Sequence, residues 1–360
     1  MDKPILLPVL ALSFAAATTA QSVAVVPAQY AALDANRMSA IPGSVDPSRH
    51  QILVGASHLT ALVGHGIQAI ELRRSASNRV YQGGAVDLAV DLSITPTNPL
   101  DCSPTYAVNA GTSPVNVFTG TVAVATSPAS PGPAVSWSPA NTVRIPFATP
   151  FHYTGGTLCI DIVGTPVTGQ NLPWWPADGV AEAFGGTVTD LGGGCGSYLG
   201  WTGQSAFLTP HSLVAGGFLE VFGQGTPYGL AIAAFGVRNP NPVPLWLTGL
   251  PAASPSCELH LNSLDMLMPT VFLPDPDPAY AGEGGKAHLT IKIPASPVVF
   301  GYTMTTQWLD WSEMATSNAI EWSVASLMPA LDMALITGHP AEATGRATPN
   351  IAPVLRFEYQ

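Results

Sequence analysis

Apolar and polar residues alternate along several short segments of the chain. In residues 85–92 (AVDLAVDL) the four large apolar residues share one parity, and both aspartates share the other. The same alternation recurs in three later segments: CELHL at 257–261, AHLTIKI at 287–293 and VLRFEY at 354–359. A period of two is typical of a strand with one buried face and one wet face, and such strands usually pair antiparallel. The pattern therefore predicts half-buried strands of antiparallel sheets.

Turn signals rich in glycine, proline and asparagine separate these segments about every ten residues, which is the spacing of β-sandwiches and barrels. No long amphipathic helical pattern interrupts the series. We therefore expect an all-β protein of two antiparallel β-sandwich domains, the first jelly-roll-like and the second Ig-like.

Two irregular stretches suggest how the chain is divided. Residues 127–139 (SPASPGPAVSWSP) are rich in proline and serine and predict a long hairpin loop. Residues 164–200 lose the period of two and predict the connection between domains. The predicted organisation is an N-terminal sandwich at 22–168, a linker or interface segment at 169–199, a C-terminal sandwich at 200–326 and a tail at 327–360 whose last strand joins one of the sheets.

The first twenty residues have the pattern of a secretory signal peptide. Lys3 precedes an apolar stretch at 5–17, and the small residues Thr18 and Ala20 stand before Gln21. No later segment approaches the roughly 20 apolar residues that a membrane-spanning helix needs. We therefore expect a secreted protein, extracellular or at the cell surface, without a membrane span.

The composition narrows the range of partners. The chain has 12 Lys and Arg and 23 Asp and Glu, so its formal net charge is −11. Only 10% of its residues are charged. Nucleic-acid binding needs clustered basic residues, so this balance argues against it. Apolar residues still reach 47%, enough for a large core. Lysine on an edge strand normally hinders its pairing with a strand of another chain, and this chain has few lysines. We therefore expect that the protein can self-associate, as a surface or matrix component would.

Four cysteines are present, and none forms a C-x-x-C pair, which gives structural zinc little support. An even number in an exported chain indicates two disulfides, for which three pairings are open. We favour Cys102–Cys159 and Cys195–Cys257, one bond in each predicted domain, and the alternative is that the cysteines are free buried thiols. Closing a loop of about 60 residues stabilises a fold by roughly 4 kcal/mol in the chain-entropy model.

Several motifs carry a resemblance to known sequences. The second half contains GGGCGSYLGW (192–201), YGLAIAAFG (228–236), TTQWLDW (305–311) and TSNAI (316–320). It resembles a β-sandwich module frequent in secreted, uncharacterised proteins of planctomycetes and related bacteria. The first half, with IELRR (70–74), YAVNAG (106–111) and TPFHYTGGTLCIDI (149–162), is similar to the module that often precedes it. The resemblance implies export, two sandwich domains and a bond between Cys195 and Cys257, but no established chemistry and no catalytic residues.

One acidic loop is a candidate calcium site. Asp275, Asp277 and Glu283 lie in a segment rich in glycine and proline, and carboxylate and carbonyl oxygens on a loop are what Ca²⁺ takes. The spacing of an EF-hand is absent. The alternative is a solvated acidic loop, and we expect no other cofactor.

Glycoside hydrolysis would need two carboxylates about 5 to 9 Å apart across a cleft. The candidates are Asp178 with Glu182, Asp310 with Glu313, and Asp161. In a chain with few acids, the alternative is that each of them serves solubility.

Tryptophans offer a candidate binding site. Trp174 and Trp175 lie in the irregular segment, where exposed rings could stack on sugars. The alternative is that they fill the interface between the two domains. Trp308, in an apolar strand, is expected in the core.

We expect a non-enzymatic extracellular protein with a structural or adhesive role. A carbohydrate-binding protein is the first alternative, with a glycan as partner, and a secreted hydrolase is the second.

Overall fold

The computed structural model describes residues 21–168, 175–182, 184–197, 212–252, 254–274 and 284–360. The predicted signal peptide at 1–20 lies outside the described residues, as do Trp174 and the three acids of the calcium prediction. Within the described ranges, no helix has both the length and the apolar character needed to cross a membrane.

The described chain is all-β, as the alternating pattern predicts, and α1 (Tyr106–Asn109) is its only α-helix among the described residues. In chain order the strands are β1 (Ser22–Val26), β2 (Arg37–Ser39), β3 (Ser48–Val54), β4 (Gly66–Arg73), β5 (Gly84–Thr95), β6 (Val115–Val124), β7 (Thr142–His152), β8 (Thr157–Pro166), β9 (Ala177–Ala181), β10 (Thr187–Gly192), β11 (Phe218–Gly225), β12 (Leu230–Gly236), β13 (Arg238–Pro244), β14 (Glu258–Leu261), β15 (Met266–Val271), β16 (Leu273–Pro274), β17 (Gly285–Lys292), β18 (Thr303–Asp310), β19 (Ala315–Ser323), β20 (Met333–Gly338), β21 (Arg346–Pro349), β22 (Ile351–Pro353) and β23 (Leu355–Tyr359).

The first strand group, β1–β9 with β20–β23, forms three sheets. Their strand orders are β1-β23-β4-β7, β21-β20-β3-β8-β5-β6 and β2-β9-β22. The last strand, β23, pairs antiparallel with both β1 and β4. It is therefore an inner strand of the four-stranded sheet, and β1 is the edge strand beside it. A single apolar core of side chains from these sheets includes Ile52, Val90 and Phe357.

The second strand group, β10–β19, also forms three sheets. Their orders are β10-β19-β18-β12-β15, β11-β17-β16 and β13-β14, around a separate core that contains Trp308. The chain leaves the first group after β9 and returns to it at β20. Two strands occupy the segment predicted as a linker: β9 pairs within the first group, and β10 pairs with β19 of the second.

The face prediction for residues 85–92 is confirmed in β5. Its four apolar residues of one parity are all buried in the first core, whereas Asp87 is exposed and Asp91 is half-buried. The alternation works because successive side chains of a strand point to opposite sides of the sheet. Trp308, expected in the core, is 1% exposed.

The proline-rich segment 127–139 does not close a hairpin, contrary to the sequence prediction. It connects β6 to β7, and these strands are edge strands of different sheets. Proline cannot donate to a ladder and disfavours continued pairing, so the segment crosses from one sheet to the other. On its way it passes over the outer face of the four-stranded sheet, where the Val135 carbonyl accepts a hydrogen bond from Arg73.

Arg73, at the end of β4, is a fully buried cation. Its Nη2 lies 2.5 Å from Oδ2 of Asp178, whose side chain is equally buried, and it also donates to the carbonyls of Tyr30 and Leu33. Burial raises the pKa of Asp178 to about 6, although the hydrogen bond from Arg73 acts in the opposite direction. One guanidinium thereby ties β4 to β9 and to the loop that follows β1.

Arg74 is buried on the other side of the same strand end. Its guanidinium lies 3.7 Å from the centre of the Tyr81 ring. Every hydrogen bond it donates goes to an oxygen of a loop, including the Ser127 hydroxyl at 3.1 Å and the carbonyls of Pro128 and Arg79. Buried charge is tolerated only when it is hydrogen-bonded in this way. The loops at 77–79 and 127–128 are therefore fixed to β4.

The two strand groups meet through Phe218 on β11. Its ring packs with Leu53, Tyr106 and Ile336 of the first group. Nζ of Lys292 donates to the carbonyl of Leu100 at 2.8 Å, and Arg346 lies 3.1 Å from Glu220. Apolar contact and two charged contacts thus hold the second group against the first.

The disulfide between Cys195 and Cys257 is confirmed, and its two cysteines are 62 positions apart in the sequence. The predicted bond between Cys102 and Cys159 is wrong, because both are free thiols. They are buried in the apolar cluster around Phe218, where a thiol packs as a small apolar side chain. Burial raises the pKa of Cys102 to about 11 and that of Cys159 to about 12.

We predict that the folded protein contains two thiols that react with iodoacetamide only after unfolding. Burial and the raised pKa values keep both cysteines shielded and protonated in the native fold. A non-reducing peptide map, with and without denaturant during alkylation, measures this. A linked peptide containing Cys102 and Cys159 would contradict it.

We predict that Asp178→Asn lowers the free energy of unfolding by about 3–5 kcal/mol, because it leaves the Arg73 charge buried without its partner. Urea unfolding at pH 7.5 measures the loss. Glu321→Gln is the matched control, because it breaks the half-exposed Arg238–Glu321 pair at 3.5 Å, where a loss of about 0–1 kcal/mol is expected. Equal losses in the two variants would show that Arg73 does not organise the fold.

Candidate functional site

A groove of about 670 Å³ opens between the edge strands β6 and β7 and the crossing segment 127–139. Phe118, Trp137 and Pro146 provide apolar walls, and four charged side chains form its floor. Its size and its mixture of aromatic and convergent polar groups are typical of small-molecule sites. It is therefore the candidate site on which the structure places most chemistry.

The charged floor is a cross-strand row on the outer face of the four-stranded sheet. Glu71 of β4 is the register partner of Arg144 on β7 and of Arg356 on β23. The residues beside them, such as Ile70, point into the core, so these three point away from it. Glu358 lies two residues after Arg356 on the same face. Opposite charges directly across a pair stabilise it, so the row supports the sheet as well as forming the groove.

Glu358 is held by donors on two sides. Arg144 donates Nε to one carboxylate oxygen at 2.9 Å and Nη2 to the other at 2.5 Å, and Gln21 donates to the latter at 2.5 Å. The hydrogen bond from Arg144 is the first cause that lowers the pKa of Glu358 to about 2. Glu358 is therefore a carboxylate at every physiological pH.

Glu71 is in the opposite state. It is 2% exposed, it pairs with Arg356, and its carboxyl group is within hydrogen-bond reach of Glu358. Burial first, and the Glu358 carboxylate second, raise its pKa to about 7. Two carboxyl groups that share a site cannot both ionise freely, so the Glu358 carboxylate favours the protonated form of Glu71.

Trp137 lies over this row. Its ring centre is 4.8 Å from the guanidinium carbons of both Arg73 and Arg356, and its Nε1 donates to the Ala31 carbonyl at 2.9 Å. The ring remains partly exposed within the groove. The contact with two cations fixes the ring orientation, and the accessible part of the indole is a flat apolar surface beside charged donors and acceptors.

This arrangement suits binding better than glycosidic bond cleavage. Retaining and inverting glycosidases hold their carboxyl groups about 5–9.5 Å apart, with room for a sugar or water between them. Glu71 and Glu358 are instead within hydrogen-bond reach of each other, which leaves no such room. Arg144, whose side chain is 45% exposed, can donate to ligand oxygens, and the carboxylates can accept from hydroxyl groups.

The tryptophan prediction has a different outcome at each residue. Trp175 is 1% exposed, its ring packs 6.5 Å from Tyr81, and its Nε1 donates to the Ala125 carbonyl. The ring therefore cannot stack on a sugar, because it is part of the core of the first strand group. Trp174 lies outside the described residues.

The acids considered for glycosidase chemistry hold the chain in place. Asp178 pairs with Arg73, and Asp161 pairs with Arg49 at 2.6 Å. Glu182 accepts from the Ala330 amide at 2.5 Å. In the second group, Asp310 accepts from the amides of residues 226, 312 and 313, and Glu313 accepts from the amide of Ser197. Asp310 and Glu313 line the same pocket, but its volume of about 10 Å³ leaves no room for a sugar between them.

Sequence reasoning missed every charged residue of the groove floor. The signal was present, because IELRR at 70–74 and VLRFEY at 354–359 each place glutamate and arginine on the polar face of an alternating strand. Two such strands fit together only when they pair with opposite charges adjacent. Their separation of 285 residues hid the match.

Comparison of the chain with family models, with curated protein sequences and with solved structures finds no match. The resemblance to secreted two-module proteins therefore stays a prediction, and the groove must be interpreted from its own geometry.

We predict that Glu71→Gln removes a pH-dependent loss of stability between about pH 5 and 8. The folded pKa of Glu71, about 7, is above its ordinary value, so its contribution is complete below the unfolded pKa and is lost as pH rises through 7. Glu358 is ionised in both states across this window and adds no slope. Urea unfolding at pH 5, 6, 7 and 8 should show the wild type losing on the order of 1–2 kcal/mol relative to the variant.

The exposed Glu342→Gln is the control, and it should follow the wild-type curve. Parallel curves for wild type and Glu71→Gln would show that Glu71 does not hold a proton in this window.

Proposed function

We propose that the protein is a secreted, non-enzymatic adhesive protein that holds a neutral glycan in the groove beside β7. The observation that carries the proposal is the Trp137 ring, partly exposed and fixed on two arginines above a row of alternating carboxylates and guanidinium groups. A pyranose presents an apolar face of C–H groups and a rim of hydroxyl groups. The indole matches the first, and the charged row matches the second.

The electrostatics of the floor favour a neutral ligand. Two guanidinium groups face two carboxyl groups, of which Glu358 carries a full charge and Glu71 a partial one near pH 7. The floor therefore has little excess of either sign, and desolvating it costs least when the ligand is uncharged and rich in hydrogen-bonding groups. Hydroxyl groups can both accept from Arg144 and donate to Glu358.

Two further features support an adhesive and extracellular role. The Cys195–Cys257 disulfide is the kind of cross-link that persists in oxidising compartments. The most exposed aromatic side chains of the described residues, Tyr228, Trp246, Tyr302 and Trp311, all lie in the second strand group and are at least 47% exposed. Large exposed rings favour attachment to other surfaces or to further copies of the chain.

We predict that Trp137→Ala weakens glycan binding at least tenfold, because the stacking surface is lost. A glycan array of the mature full-length chain finds the best oligosaccharide, and calorimetry then gives its Kd. Trp311→Ala is the matched control, since it removes an exposed indole far along the chain in the other strand group, and it should bind as the wild type does. Trp137→Phe, which keeps a smaller ring, should lie between the two.

Thermal unfolding of each variant separates lost binding from lost folding. The absence of any glycan signal, or unchanged affinity in Trp137→Ala, would overturn the proposed ligand. Release of reducing sugar ends from a bound glycan would show a hydrolase instead of an adhesive protein.

A further inference from the structure

A second cavity, of about 400 Å³, lies where the six-stranded sheet faces the sheet of β2, β9 and β22. Its walls include His50, Leu335 and Thr337 from the larger sheet and Arg37 and Ser39 from the smaller one. Both this cavity and the groove beside β7 are formed by the first strand group, but no residue lines both of them.

A polar row interrupts the apolar inner face of the six-stranded sheet at this cavity. Thr337 of β20 is the register partner of His50 on β3 and of Arg346 on β21. The positions two residues away on β3 and β20, Ile52 and Leu335, belong to the first core. Side chains two positions apart on a strand lie on the same face of the sheet. His50 and Thr337 therefore lie on the face whose other side chains form the apolar core. Polar groups at inner-face positions need a compensating partner.

The cavity is electropositive in a protein that is strongly acidic. Two of the nine arginines of the chain, Arg37 and Arg346, line it, and none of its lining residues is acidic. Glu220 lies 3.1 Å from Arg346 and is also near His288, and Asp178, beside the lining residue Gly179, is paired with Arg73. Glu220 takes up part of the Arg346 charge, and Arg37 has no ion pair among the described residues.

His50 contributes a neutral donor and acceptor to the cavity wall. His50 is 7% exposed. Its ring makes no hydrogen bond within the part of the chain that the structure describes. Burial lowers its pKa to about 4, so it is a neutral imidazole with one donor and one acceptor. An anion near the ring would favour its protonated form and raise that pKa.

We propose that this cavity binds a small oxyanion-bearing ligand, with Arg37 and Arg346 as charged donors and His50 and Thr337 as neutral ones. Carboxylates and phosphates share the required chemistry, since both offer oxygens that accept from a guanidinium fork. The volume admits a monosaccharide carrying one such group. The site is independent of the proposed glycan groove, because neither its residues nor its charge take part in it.

Calorimetric titration of the full-length mature chain tests the site with three probes: glucuronate, inorganic phosphate and glucose. We expect glucuronate or phosphate, or both, to bind, and glucose, which lacks the charge, to give no signal for this cavity. Binding of glucuronate alone identifies a carboxylate site, and binding of phosphate alone a phosphate site. Either result supports the proposal.

Variants assign the binding to the cavity. Arg37→Ala and the nearly isosteric Thr337→Val should each weaken anion binding at least tenfold, whereas Arg238→Ala, which removes an arginine of the second strand group, should not change it. Trp137→Ala should also leave anion binding unchanged, so that failure of the groove and failure of this cavity are distinguishable. The His50 ring resonance in a proton NMR titration should move to a higher apparent pKa when the anion is present.

Two results would overturn the proposal. One is the absence of binding by either anion at millimolar concentration. The other is binding that survives unchanged in both Arg37→Ala and Thr337→Val, since the anion would then bind elsewhere on the protein.

Discussion

Two adjacent arginines at the end of β4 fix most of the irregular chain in the first strand group. Arg73 and Arg74 are both fully buried. The Nη groups of Arg73 and all three nitrogens of Arg74 donate to backbone carbonyls, one hydroxyl or Asp178, and only Nε of Arg73 has no partner among the described residues. An ion of this kind costs several kcal/mol to desolvate, so the fold tolerates it only when the partners come from fixed positions. Loops without regular hydrogen bonding thereby acquire positions as definite as those of the strands.

The groove depends on this anchoring. Arg73 holds the Val135 carbonyl, and two residues later Trp137 lies on the Arg73 and Arg356 guanidinium groups. The same cation therefore positions the covering segment and supports the ring that gives the groove its stacking surface. A binding surface made from a loop gains precision when its supporting contacts are buried and hydrogen-bonded.

Charge is scarce in this protein, and it is not spread evenly. The outer face of the four-stranded sheet carries two arginines and two glutamates within a few ångströms, and burial and Glu358 together raise the pKa of Glu71 to about 7. The inner row at the second cavity carries arginine, histidine and threonine. The outer row follows the alternation of its strands, whereas the inner row places polar residues at positions where the neighbouring residues of the same face are apolar. Departures of this second kind are often found at functional sites.

The sequence was sufficient for the secondary structure and for one cross-link. The alternation at 85–92 identified β5 and its buried side because the period of a strand is a local property, and the Cys195–Cys257 pairing was favoured correctly. The pairing of Cys102 with Cys159 was not, because an even count of cysteines says nothing about whether two thiols are oriented to bond. The hairpin expected at 127–139 failed for a similar reason, since a loop has no local signal for the sheet to which the next strand belongs.

By itself the sequence determined that the chain forms strands with one apolar face and that its surface is poor in charge. Tertiary structure alone decided that the last strand pairs beside β4, that Glu71 faces Glu358, and that Trp137 covers them. The physical reason is that these contacts join residues up to hundreds of positions apart, and their energy arises from burial and charge proximity that exist only once the sheets have assembled.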